Sequence, residues 1–226
     1  MLSDIAPSLI QFLYTLPSIL IALTFHEFAR GFIADRLGDP TARNLGKLTL
    51  NPLKHLDPIG TLCMILFHFG WTRPIPINSR NFKKPRRDMA LVAISGPIMN
   101  LLLAFVGLLV FRILIATCGV KLITSNPLAY SNSVLTAALS FVSFFVSINA
   151  SLAIFHLLPI PPLAGSRLLM LALPPRAHMW VAQNERYIAL VLLVLLWIRA
   201  LDKPLGFLIN LVLNGMNFLI GLIPFL

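Results

Sequence analysis

The sequence is poor in the residues that build soluble domains. Two cysteines in 226 residues exclude a disulfide-built scaffold. Charged residues make up 12% of the chain, about half their usual share in soluble domains. That scarcity excludes a soluble globular protein, a disordered chain and a coiled coil. Acidic side chains are scarcest, with Asp+Glu 8 against Lys+Arg 18, a net charge of +10. In a soluble protein such an excess would suggest nucleic acid. Here 58% of residues are hydrophobic and the mean hydropathy is +0.86. A membrane explanation therefore comes first, because basic residues collect in cytoplasmic loops. The lipid bilayer is the expected partner, and no nucleic acid is.

Uncharged apolar runs set the class, since about 20 apolar residues cross a hydrocarbon core of about 30 Å. Ile5 to Phe25, Met89 to Phe111, Val134 to Leu158 and Leu205 to Leu226 qualify. Pro17 predicts a kink in the first. Asn210, Asn214 and Asn217 in the last are expected to face other helices. Tyr187 to Ile198 reaches only about 18 Å as a helix, so Arg186 and Arg199 must snorkel to opposite interfaces. Ile59 to Trp71 is shorter than a span and holds two glycines, which predicts a re-entrant segment. Met1 to Pro7 has no basic residue, unlike a cleavable signal. No second domain or repeat stands out. Residues 1–226 read as one membrane domain, with a core of about 5–170 and C-terminal helices of about 180–226.

The basic residues fix the expected orientation. Ten of them, from Arg36 to Arg87, lie between the first two spans, and Arg167, Arg176 and Arg186 lie after the third. The loop holding Cys118 has only Lys121 beyond Arg112. The positive-inside rule then places the N-terminus outside and both basic loops in the cytoplasm. The loop from Leu37 to Pro58 is turn-rich. Lys47 to Asn51 alternates in polarity and predicts a short strand. Arg73 to Asn78 reads as extended, and its prolines confine it to an edge.

The chemistry-bearing stretch is Thr24-Phe25-His26-Glu27-Phe28-Ala29-Arg30. Ionisable groups in a membrane helix mark functional sites by default. H-E-x-x-H on a helix sets two imidazoles on one face for zinc, with the glutamate as general base. This chain has the first half of that motif, with Arg30 in the fifth position. Without a metal, Glu27 would pair with Arg30 three residues on. A second stretch runs from Asn149 to Arg167. Its prolines break the third span and leave His156 at about the depth of His26. His55, His68 and His178 have no motif partner and are assigned loop or interface roles.

Together these stretches resemble the site-2 protease family of intramembrane zinc metalloproteases. The likeness covers roughly residues 15 to 170. Its carriers are Phe25 to Arg30, Gly38-Asp39-Pro40-Thr41-Ala42, Leu48-Thr49-Leu50-Asn51-Pro52, Asp57-Pro58-Ile59-Gly60, Ser95-Gly96-Pro97-x-x-Asn100, and Asn149 to Arg167 with Pro159, Pro161 and Gly165. The resemblance implies an all-α polytopic fold with short β elements and a re-entrant segment at the cytoplasmic face. It also implies zinc as cofactor, and a substrate helix that unwinds and is held as an added strand. It maps His26 onto the first metal ligand and Glu27 onto the catalytic base. Arg30 stands where the second histidine belongs, and Ala164 where the ligand aspartate belongs. His156 takes the family's asparagine position and is a candidate substitute ligand. Catalytic zinc needs about three protein ligands, so weak or absent hydrolysis is expected. A natural pseudoprotease and a deliberately inactivated protein share this pattern. The alternative function is a non-catalytic protein that binds single-span transmembrane partners.

Overall fold

The computed structural model describes residues 2–57, 60, 73–117 and 133–222. Apart from Gly60, the expected re-entrant segment lies outside them, as do His68 and Cys118. The described residues are helical and contain no strand.

Helix α1 spans Leu2–Arg36. It is one element through Pro17 and runs well past the end expected at Phe25. Nothing between Phe25 and Arg36 stops a helix. The chain turns only at Gly38, with φ 108°, a conformation cheap for glycine alone. The His-Glu pair therefore sits inside a helix rather than at its frayed end. The short helix α2 (Thr41–Asn44) follows, and Gly46 makes a second left-handed turn at φ 61°. Lys47 to Asn51 forms bends rather than the expected strand. Its polar groups bond locally instead: His55 Nε2 donates to the Thr49 carbonyl at 2.8 Å, and the Asn51 side chain caps a 3-10 turn over Pro52–Lys54.

Arg73 to Asn78 forms no strand either, although the Arg73 N–H donates to the His55 carbonyl at 2.8 Å beside a single bridge residue at Leu56. Two of its backbone N–H groups go to carboxylates: Ile75 to Glu27 at 2.8 Å and Asn78 to Asp39 at 2.7 Å. Asp39 is fully buried and also accepts from the Asn81 amide at 2.7 Å and from the Thr41 backbone and hydroxyl. It pins the segment before the second long helix to the end of α1. Burial alone would raise the Asp39 pKa. The hydrogen bonds from Thr41, Asn78 and Asn81 outweigh burial and hold the carboxyl below its ordinary value of 3.8. A depressed carboxylate contributes stability above its unfolded pKa and loses it as pH falls through the folded value. The wild type should therefore loosen here only below about pH 4. Asp39→Ala should cost about 1–3 kcal/mol at neutral pH, because it leaves the Thr41, Asn78 and Asn81 donors without the buried acceptor they share. Thermal unfolding of both proteins against pH checks this.

Helix α3 (Pro85–Thr117) opens with proline at its first position, where no N–H is needed. Asp88 accepts from the Lys84 N–H at 2.9 Å. Helix α4 covers Ser133–Leu157. Gly107 lets α3 approach α4 closely, since a Cβ there would sit 2.9 Å from Val146, the small-residue contact usual between membrane helices. Helices α1, α3 and α4 pack against one another, and the short helix α5 (Ala164–Ala172) packs on α3 and α4. Helices α6 (Pro175–Gln183) and α7 (Glu185–Trp197) meet at a 63° bend. Helix α8 (Asp202–Gly221) rests on α3 and α4 through Ile220, Leu108 and Val146. Of the three asparagines expected to meet other helices, Asn217 does, accepting from Arg112 at 3.2 Å. Asn210 and Asn214 are exposed on the outer face. Among the described residues, four helices are long and apolar enough to span a membrane, or five if the bent pair counts as one.

Candidate functional site

The site is built where α1, α3, α4 and α5 meet. His26 is 2% exposed, and its Nδ1 lies 3.0 Å from Asn100 Oδ1. The Asn100 amide nitrogen points to Asn149 Oδ1 at 3.3 Å and to the Ala22 carbonyl at 3.4 Å. Asn149 in turn donates to the Phe145 carbonyl at 2.9 Å. This chain of bonds leaves only an acceptor facing His26, so Nδ1 carries the proton and donates. Both asparagines are fully buried, and in a membrane interior such amides must be paired. The ring lies against Gly96: a Cβ there would fall 2.5 Å from His26 Nε2. The Gly96-Pro97 pair in α3 thus makes room for the imidazole.

His156 Nδ1 donates to the Leu152 carbonyl at 2.8 Å. The His26 and His156 ring centroids are 4.5 Å apart. The two imidazoles therefore converge, each with Nδ1–H held by an oxygen and Nε2 without a hydrogen-bond partner. Hydrogen bonds of this kind, made by the far ring nitrogen, orient metal-binding histidines. The expected equal depth of His26 and His156 is met.

Glu27 is buried and fully engaged. Oε1 accepts from Arg30 Nη1 at 2.9 Å, and Oε2 accepts the Ile75 N–H. The pairing expected of Glu27 without a metal is the one found. A cavity of about 220 Å³ is lined by His26, Arg30, His156 and Ala164, among others. The fold thus brings the three family ligand positions 26, 30 and 164 to one space, with His156 beside them. Pro161 is buried and Pro159 exposed in the turn that carries α4 into α5. Gly165 is buried, and a Cβ there would lie 2.1 Å from the Leu157 carbonyl oxygen.

Residues 14–199 match the profile of Peptidase family M50. The chain belongs to that family. It is 41% identical over 182 residues to the Bacillus subtilis protein named "Putative zinc metalloprotease YwhC", covering 80% of this chain and 79% of that one. It is 28% identical over 196 residues to the Mycolicibacterium smegmatis protein named "Putative zinc metalloprotease Rip2", covering 85% of this chain and 70% of that one. The protein of the same name from Mycobacterium tuberculosis strain H37Rv is 28% identical over 190 residues, 81% of this chain and 66% of its own length. No solved structure matches. Membership in M50, together with four or five apolar helices, makes this a multi-pass membrane protein.

The zinc that the M50 family implies does not fit these residues. No group of three or more His, Cys, Asp or Glu able to hold a metal occurs among the described residues. Arg30 lines the same cavity and has no lone pair to offer. Ala164 offers no donor. Glu27 already accepts a hydrogen bond at each oxygen, one of them from the cation of Arg30. Sequence reasoning does not reveal the contact between Glu27 and the Ile75 N–H, the steric role of Gly96 or the hub at Asp39. An acidic residue inside Gly-Asp-Pro, at a helix end, was the one available signal for the last.

Proposed function

We propose that this chain is a non-hydrolytic member of M50 that keeps the membrane fold and binds transmembrane helices of single-span partners. One observation carries the first half: the carboxylate in the catalytic-base position is held by Arg30 and Ile75, beside a cavity with two imidazoles and no third ligand. A base must reach the water it deprotonates, and each Glu27 oxygen already accepts a hydrogen bond, Oε1 from Arg30 and Oε2 from the Ile75 N–H.

Helix binding has support in an apolar groove of about 580 Å³ between α1 and α3, lined by Phe28, Phe32, Ile94 and Ile98 among others. Such a groove suits the side of a membrane helix, and no substrate unwinding is needed if no bond is cut. Docking as a strand along Arg73 to Asn78 is disfavoured, because Ile75 is buried and its N–H is taken. The proposed orientation keeps the N-terminus outside and the basic loops cytoplasmic.

Metal analysis of the purified protein tests the hydrolytic half. The expected result is sub-stoichiometric zinc and no cleavage of membrane-helix substrates. Stoichiometric zinc lost on His156→Ala would instead establish a substitute-ligand enzyme and overturn this reading.

A further inference from the structure

We propose that the cavity where the M50 zinc would sit is, in this chain, an oxyanion site for a phosphate monoester group, either free phosphate or the headgroup of a membrane lipid. This rests on the reading that the chain holds no zinc. Two arginines, Arg30 and Arg167, line the cavity, and no Asp or Glu does. A neighbouring cavity of about 330 Å³ shares Met89 and Arg167 with it and adds Arg86 and His178, again with no carboxylate in its wall. Three guanidinium groups thus line these two neighbouring cavities.

These charges are incompletely matched. Arg30 gives Nη1 to Glu27, but its Nε is buried with no hydrogen-bond partner, and such an orphaned donor is costly. Arg167 approaches Glu185 only at 4.0 Å, with both side chains more than a third exposed, so that pairing is weak. Helix α5 begins at Ala164, in the cavity wall, with no side-chain cap. Its first turn adds the positive end of a helix dipole, while the Ser166 N–H there is already bonded to the Leu163 carbonyl at 3.1 Å. Helix N-termini of this kind take phosphate. Arginine is the side chain best matched to phosphate oxygens.

The histidines narrow the class. His26 is almost fully buried, and its Nε2, like that of His156, lacks a partner at the cavity. With Nδ1 protonated, Nε2 accepts a hydrogen bond. A phosphate monoester retains a hydroxyl on part of its population near pH 7. It can therefore accept from the arginines and donate to an imidazole together. Sulfate, the same size and shape, has no proton to donate.

The test uses the full chain, purified in detergent without phosphate, with zinc measured on the same sample. Inorganic phosphate is titrated by calorimetry, and sulfate is the control. Saturable phosphate binding is expected, with sulfate weaker by about tenfold. Arg167→Gln and Arg30→Gln should each weaken phosphate by roughly tenfold, about one charge-assisted hydrogen bond. Ala164→Asp should abolish it while leaving both arginines in place, and it serves if Arg30→Gln fails to fold. Nanodiscs with and without phosphatidic acid separate the two sources: lipid retention competed by phosphate assigns the headgroup, and binding of free phosphate alone assigns the ion. No saturable binding of either in a zinc-free sample overturns the oxyanion site and leaves the loss of hydrolysis standing. Binding unchanged in all three variants, or equal for sulfate, also overturns it. Stoichiometric zinc would instead overturn the reading under it.

Discussion

Arg30→His combined with Ala164→Asp is expected to turn a chain with little zinc into one that purifies with stoichiometric zinc, while either change alone recovers little. Positions 26 and 30 lie one helical turn apart on one face of α1, and both line the cavity that Ala164 also lines. Arg30→His removes a permanent cation and supplies an imidazole. At about 4 Å and an effective dielectric of about 20, that cation repels each unit of metal charge by about 4 kcal/mol. The same change frees Glu27 Oε1 from its ion pair. Ala164→Asp supplies the third ligand and a negative charge at the start of α5, where the helix dipole favours it. With Ala164→Asp alone the cation remains, and with Arg30→His alone the acidic ligand that offsets the metal charge is missing, so zinc is held weakly at best. Zinc per chain and cleavage of a membrane-helix substrate are the two measurements. Failure of the double variant to gain zinc while it stays folded would show that His156 blocks the site, and His156→Asn then becomes the next change.

Gly165→Ala should be among the most damaging single substitutions in the chain. The added methyl would sit 2.1 Å from the Leu157 oxygen and 2.5 Å from the Leu158 oxygen. Both are backbone atoms at the α4–α5 junction and cannot move like a flexible side chain. A loss of about 4 kcal/mol or more, or failure to accumulate in the membrane, is expected. At Gly206 and Gly215 on α8, a methyl group would meet nothing within 4 Å. Alanine there should be neutral or stabilise by about 0.5–1 kcal/mol. Thermal unfolding in detergent compares the three, and equal melting points would refute the steric argument.

Much of the architecture is legible because membrane spans are written as long apolar runs. Met89 to Phe111 and Val134 to Leu158 fall within α3 and at α4 almost residue for residue. The end of the first span is not legible in the same way, because His26 and Glu27 look like an interface while the helix has no breaker before Gly38. The expected strands fail for a related reason. Alternating polarity at Lys47 to Asn51 and paired prolines at Arg73 to Asn78 describe extended chain, but the first stretch bonds its N–H groups locally, and Glu27 and Asp39 take N–H groups of the second. The convergence of His26 with His156 can be inferred from equal depth. The contact of Gly96 with the imidazole cannot, since a glycine in a sequence does not show which neighbour occupies the place of its missing methyl.

Arg30 gives Glu27 an internal counter-ion carried by the same helix. A protein whose buried carboxylate waits for an imported cation depends on that supply to finish folding, because metal binding and folding then share one free energy. Here the neutralising charge is translated with the chain. On the proposed reading without zinc, assembly of this membrane core does not draw on the cell's metal supply, and a chelator added during synthesis should leave it intact.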